Sequence, residues 1–156
     1  MRADELIARL GLSPHPEGGW YRRLYCSTTQ VAAAGGTRPA VTTIAYLLRA
    51  GETSRWHRVR SDEIWHFYEG AALDLHCADP ALTSVDAVRL GPVDGAEPVH
   101  AVPASHWQTA RSRGAYSLVG CTVAPGFDFA DFTLMADDQE MSTALRSRFP
   151  QFVALL

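Results

Sequence analysis

The sequence predicts an all-β protein, an antiparallel barrel or sandwich with a short helix at each end. Three observations carry that expectation. From Trp20 to about Met135 the chain is a succession of short β-rich runs broken by turn residues, the pattern of sandwiches and barrels. No helical period separates those runs, which argues against the alternating strands and helices of a parallel sheet. The length, 156 residues, is that of one domain with one core.

Taken in order, a helix is expected from Asp4 to Leu10. Asp4 and Glu5 suit its positive end, Leu6, Ile7 and Leu10 form an apolar stripe, and Gly11 stops it. Pro14, Pro16, Gly18 and Gly19 then interrupt any regular element. The strand-like runs are WYRRLYCS, AVTTIAYLLR, EIWHFYEG, ALDLHC, SVDAVRL, VHAVP, HWQTAR, YSLVGCTV and DFTLM, with breaks at AAAGG, RAGET, ADPA, GPVDGAEP, RSRG and APG. The tail from Asp137 to Arg148 reads as a closing helix, acids first and arginines last, halted before Pro150. No repeat, low-complexity tract or linker divides the chain.

Composition removes several function classes. The net charge of -3 comes without any basic run, so nucleic acid is not an expected partner. No apolar stretch approaches the roughly 18 residues of a membrane span. The opening MRADELIARLGL carries two acids and lacks the apolar run of a signal peptide. Cys26, Cys77 and Cys121 are odd in number and widely spaced, poor material for a disulfide framework or zinc knuckle. They are expected as buried or half-buried thiols in a reducing cytoplasm. The chain contains no lysine, so every basic side chain is arginine; Schiff-base chemistry and lysine-anchored pyridoxal phosphate are excluded.

The densest chemistry lies between Gly51 and Gly70. If the turn at Arg60–Asp62 preserves phase, His57, Val59, Glu63, Trp65 and Phe67 share one face of the strands. An imidazole and a carboxylate then converge beside two aromatic walls, which suits a metal site or an acid–base pair in a partly desolvated pocket. His66 has the opposite parity and faces the lumen only if a bulge intervenes. His106 shares parity with Gln108. HPEGG (His15 to Gly19) reads either as a solvated turn or as a segment carrying Glu17 over the barrel mouth, with Arg22 and Arg23 nearby to pair with an anion. Arg55, Arg58 and Arg60 read as a solvated basic edge or a second anion grip. Asp128 and Asp131 are placed on the surface or behind a lumen histidine, while His76 and His100 are structural.

The Gly51–Gly70 segment resembles the first cupin motif, with Gly51, His57, Glu63 and Gly70 in the matching places and Val59 where a second histidine belongs. Pro103, Ala104, Ser105, His106, Trp107 and Gln108 fall in the frame of the second motif. There Ser105 replaces a glycine, Gln108 a histidine and Ser112 an asparagine. More specifically, HPEGGWYRR, SRWHRVRSDEIWHFYEG, VPASHWQ and GCTVAPGFDFADF, in that order, resemble the cupin type-5 family, whose members are labelled predicted sugar epimerases. The resemblance implies a double-stranded β-helix, or jelly-roll, antiparallel barrel over residues 1–156 and a homodimer.

Three functions stay open. The first is an epimerase or isomerase acting on a sugar or nucleotide-sugar, with His57 as base, Glu63 orienting it, and Tyr68 or Tyr116 as acid. Glu17, Arg22, Trp65, Phe67, His66, Trp107 and Gln108 would then hold a carbohydrate-like or anionic ligand. No cofactor is required for that chemistry. The second is a metal-dependent isomerase or oxygenase with His57, Glu63, His106 and Gln108 around one divalent ion. The third is a non-catalytic small-molecule receptor. The expected metal site is weak or absent, because Val59 and Gln108 occupy two ligand positions.

Overall fold

A computed structural model describes residues 1–156. Helix α1 spans Arg2–Leu10 and ends at Gly11, which adopts φ 62° and ψ 44°, a left-handed cap that costs glycine little. Thirteen strands follow. They are β1 (Ser13–Pro14), β2 (Trp20–Cys26), β3 (Gln30–Ala33), β4 (Gly36–Pro39), β5 (Thr42–Arg49), β6 (Thr53–Val59) and β7 (Asp62–Gly70), then β8 (Leu73–Ala78), β9 (Val85–Leu90), β10 (Val99–Val102), β11 (Trp107–Ser112), β12 (Tyr116–Ala124) and β13 (Phe132–Leu134). Helix α2 (Gln139–Arg148) is capped by the Asp138 side chain, which accepts from Met141 N at 3.1 Å.

Two sheets face each other: six strands ordered β1-β2-β5-β12-β7-β10, and five ordered β13-β6-β11-β8-β9. Their strand pairs are antiparallel, and the architecture is a jelly roll. A separate hairpin, β3–β4, stands where the sequence suggested only a break. Its strands, QVAA and GTRP, carry alanine, glycine and proline, which have weak β propensity. What fixes it is long-range: Arg38 on β4 makes a bidentate pair with Asp131, at 2.8 and 3.0 Å.

Apolar side chains form three layers. Tyr46, Leu48, Trp65, Leu73, Leu75, Leu90 and Val119 fill one part of the space between the sheets. Outside the six-stranded sheet, Ala45, Leu47 and Leu118 pack under Ala3 and Leu6 of α1. The opposite outer layer joins Trp56 and Trp107 to Met135 and Leu145 of the C-terminal segment. Each fully buried side chain of this size contributes about 1.5–3 kcal/mol. No helix is long and apolar enough to cross a membrane.

Candidate functional site

The remaining space between the sheets is a cavity of about 500 Å³. Glu17, His57, Glu63 and Cys121 supply most of its buried chemistry, Arg22 and Arg23 reach its rim, and Phe127, Phe129 and Phe132 form an apolar side.

Glu17 arrives from a turn that only glycine permits. Gly18 has φ 106°, and a Cβ there would lie 2.1 Å from the Thr53 carbonyl oxygen. The turn therefore presses against β6, where Arg55 N donates to Glu17 O at 2.8 Å. The Tyr46 hydroxyl, donating to Gly18 O at 2.6 Å, secures it from the other sheet. Glu17 is consequently buried, not solvated or draped over the mouth.

A bulge in β6 completes its surroundings. Gln108 pairs with His57, yet Ala110 pairs with Ser54. Ser54 and His57 are three apart, a spacing that puts residues on opposite faces of a regular strand. The extra residue lets both meet Glu17: Ser54 Oγ donates to Glu17 Oε1 at 2.8 Å, and His57 Nε2 lies 3.2 Å from Glu17 Oε2.

Hydrogen-bond direction then counts protons. His57 Nδ1 sits 2.7 Å from the Arg55 carbonyl oxygen; a carbonyl only accepts, so Nδ1 carries a proton and the neutral ring offers a lone pair at Nε2. His15 Nδ1 accepts the Glu17 backbone N–H at 3.1 Å, and the same nitrogen is 3.6 Å from Glu17 Oε2. Glu17 Oε2 thus lies between two imidazole lone pairs. An ionised carboxylate there has no donor from either ring, so one proton must be shared by Glu17 and His57. Burial raises the Glu17 pKa and lowers those of His15 and His57, which favours neutral partners with Glu17 donating to His57 Nε2.

Glu63 is held differently. Buried Trp65 donates its indole N–H to Gln108 Oε1 at 2.8 Å, which turns the Gln108 amide nitrogen toward Glu63 Oε2, to which it donates. Burial pushes Glu63 up to about 7, and the neighbouring Glu17 adds to the shift. Cys121, beside Glu63, has its thiol pushed well above the usual range by burial.

The sequence expectations meet this geometry unevenly. Glu17, Arg22, His57 and Glu63 all line the cavity. No hydrogen bond joins His57 to Glu63; the orienting partner of His57 is the Arg55 carbonyl, and its reactive nitrogen faces Glu17. Trp65 and Phe67 belong to the apolar layer and line no part of the cavity. Gln108 reaches it only through Glu63.

Other candidates lie elsewhere. The β7 bulge falls at Tyr68, between the pairs Leu118–Glu69 and Val119–Phe67, beyond His66, so it leaves His66 on the outward face. Tyr68 is exposed and lies across Gly120, where an added Cβ would be 2.1 Å from its hydroxyl. Tyr116 donates to Glu69 at 2.8 Å, outside the barrel. Trp107 is sealed in the C-terminal layer with the Arg58 guanidinium over its ring at 4.3 Å. None of these four can act as acid or stacking surface in the cavity.

His106 is half-buried, with Nδ1 3.3 Å from the Ala104 carbonyl oxygen, and lines no part of the cavity. Ser105, in the place of a motif glycine, takes φ 65°, the conformation a glycine would favour. Asp128 caps the turn at Phe129–Asp131, and buried Asp131 serves Arg38 instead of a histidine. Arg55 donates to the Pro16 carbonyl. Cys26 is exposed, not buried.

The four side chains expected around a divalent ion do not form one donor set, because His106 lines no part of the cavity. The Gln108 oxygen is taken by Trp65, and its nitrogen, which cannot ligate a cation, is what faces the cavity acid.

A family model described as Cupin superfamily (DUF985) matches residues 4–135. No curated protein matches the sequence. Among solved structures, a protein from Shewanella oneidensis is 35% identical with a TM-score of 0.83, over 98% of this chain and 93% of that one. A hypothetical protein from Leishmania major is 32% identical with a TM-score of 0.82, over 98% and 95%. Oxalate decarboxylase from Bacillus subtilis is 11% identical with a TM-score of 0.60, over 88% of this chain and 34% of that one, a likeness of fold alone.

Proposed function

The chain belongs to the DUF985 family of the cupin superfamily, and on that premise we propose that it binds a small polar molecule in the barrel cavity and transfers protons on it, as a sugar or nucleotide-sugar epimerase or isomerase. The observation that carries the reading is the pair of buried acid–base units facing one cavity: Glu17 with His57, and Glu63.

Removing a proton beside a carbonyl requires a base near neutral pKa for the C–H proton and an acid, still protonated at that pH, that donates to the carbonyl oxygen as the enol forms. Glu63, poised at about 7, serves as the base when ionised. The Glu17–His57 couple, which holds one proton between two groups, serves as the acid. Because the Gln108 amide donates to Glu63 and cannot accept from it, the accepted proton stays on Glu63 until it is returned to the ligand or to water. No step calls for a metal or an organic cofactor.

The test is solvent deuterium exchange at the carbon beside the carbonyl of keto-sugar nucleotides, compared between wild type and His57→Asn. Exchange catalysed by wild type and reduced about 100-fold or more in the variant is the expected result. Equal rates would remove His57 from the mechanism, and no exchange with any keto-sugar would leave a receptor without catalysis.

A further inference from the structure

Taking the cavity as the ligand site, we propose that Arg22 and Arg23 form an oxyanion-binding lip. The molecule bound here then carries a carboxylate or phosphate at its outer end and an uncharged, proton-exchanging portion at its inner end.

Adjacent residues of a strand point to opposite faces, yet both arginines line the one cavity. The reason is a strand that stops early. β1 pairs only with Trp20 and Tyr21, so β2 is a free edge from Arg22 onward. Arg23 turns inward, with Nη2 3.5 Å from the Phe127 carbonyl oxygen. Arg22 rounds the edge to the end of α1, where Nη1 donates to Leu10 O at 3.0 Å. The two guanidiniums therefore stand on different sides of the rim.

Neither is neutralised. Arg38, Arg49 and Arg113 each have a carboxylate within 2.8–3.0 Å, whereas the partners of Arg22 and Arg23 are carbonyls. Each spends one of five N–H donors on that contact. A favourable interaction with the negative end of α1 explains the Leu10 contact of Arg22, but not a second unpaired cation beside it.

The cavity's own acids cannot supply the counter-charge. Glu17 and Glu63 are buried at the inner end, Ser54 and the imidazoles engage the first, and Gln108 engages the second. The site is thus polar along its length: cationic forks outside, proton-bearing groups inside, and the Phe127, Phe129 and Phe132 rings between. Planar guanidinium forks match the paired oxygens of carboxylate and phosphate.

The test is an NMR-monitored titration of the full chain with phenylacetate, phenyl phosphate and benzyl alcohol, which share an aromatic ring for the phenylalanine wall. At least one anion should bind about 10-fold or more tightly than the alcohol, with the preference shrinking as salt rises. The better anion identifies the carboxylate or the phosphate class. Arg22→Gln/Arg23→Gln should erase the preference, and Arg22→Lys/Arg23→Lys should retain part of it, which covers the case in which the glutamine variant fails to fold.

Anion binding no tighter than benzyl alcohol, or unchanged in a folded glutamine variant, would overturn the proposal. His57→Asn separates this proposal from the acid–base reading. Retained anion preference without wild-type proton exchange sinks the acid–base reading alone, and wild-type exchange without anion preference sinks the lip alone.

Discussion

The space between the two sheets is one compartment divided into unlike halves. In one, Leu73, Leu75 and Leu90 pack without solvent around Trp65. In the other, Glu17, His57 and Glu63 surround an open cavity. They meet at a relay in which Trp65 donates to Gln108 and Gln108 donates to Glu63. The difference teaches that burial alone does not make a site. Both halves bury their side chains, but only the second keeps polar groups whose hydrogen bonds leave a proton to move.

The largest effect expected from breaking this contrast is on the cavity side. His57→Asn should lower proton exchange by about 100- to 10,000-fold, appearing in kcat and not mainly in KM, while thermal unfolding stays close to wild type. The mirror experiment is Leu75→Ala in the dry half, which should cost about 2–5 kcal/mol of stability. Chemical denaturation would report it, and exchange by the folded fraction should stay within a few-fold of wild type. A large loss of exchange in the folded Leu75 variant would show that the halves are not separable.

The pH dependence of stability sharpens the contrast. Glu63 has a folded pKa of about 7 against 4.5 for the unfolded chain. A raised carboxyl pKa means the folded state resists ionisation, so stability is lost as pH rises from 4.5 to 7. At roughly 1.4 kcal/mol per pH unit, the loss is on the order of 3 kcal/mol. Glu17 acts in the same direction, whereas lowered His15 and His57 remove stability as pH falls below 6.5. Denaturation of wild type and Glu63→Gln at pH 5 and pH 8 isolates the Glu63 share: the fall should be markedly smaller in the variant.

Cutting the relay should produce a smaller change. Trp65→Phe keeps most of the ring volume but leaves Gln108 Oε1 without its donor, at a cost of about 1–3 kcal/mol. The amide is then free to turn its oxygen toward Glu63, which would raise the Glu63 pKa further. Carbon-13 NMR of the Glu63 carboxyl would follow the shift, and an unchanged titration would mean that Trp65 does not set the amide. Smallest of all, Tyr68→Phe on the exposed outer face should change stability by no more than about 0.5 kcal/mol and leave exchange intact.

Much of the barrel was legible because strand periodicity and turn residues are local signals. The nine runs match β2, β5 and β7 to β13 but include none for β6, and α1 ends at the Gly11 that the sequence marks as its stop. The β3–β4 hairpin was not legible, since its stability comes from Arg38 reaching Asp131 across most of the chain. The same division runs through the site. Parity pointed His57 and Glu63 inward, although they reach the cavity from two facing sheets, and motif resemblance singled out Glu17 and Gln108.

What the sequence by itself determined is the repertoire: an antiparallel jelly roll, a lumen holding an imidazole and carboxylates, and arginine as its only basic side chain. Which carboxylate meets His57 was decided by the tertiary structure. That choice depends on a bulge between Ser54 and His57 and on glycines that let the Glu17 turn press against β6. A bulge is an offset between two paired strands, so no pattern within either strand records it. Tertiary structure also decided where Trp107, Tyr68 and Tyr116 lie. A strand's period places a side chain on one of two faces, but which face borders a cavity and which a covering helix depends on segments distant in sequence.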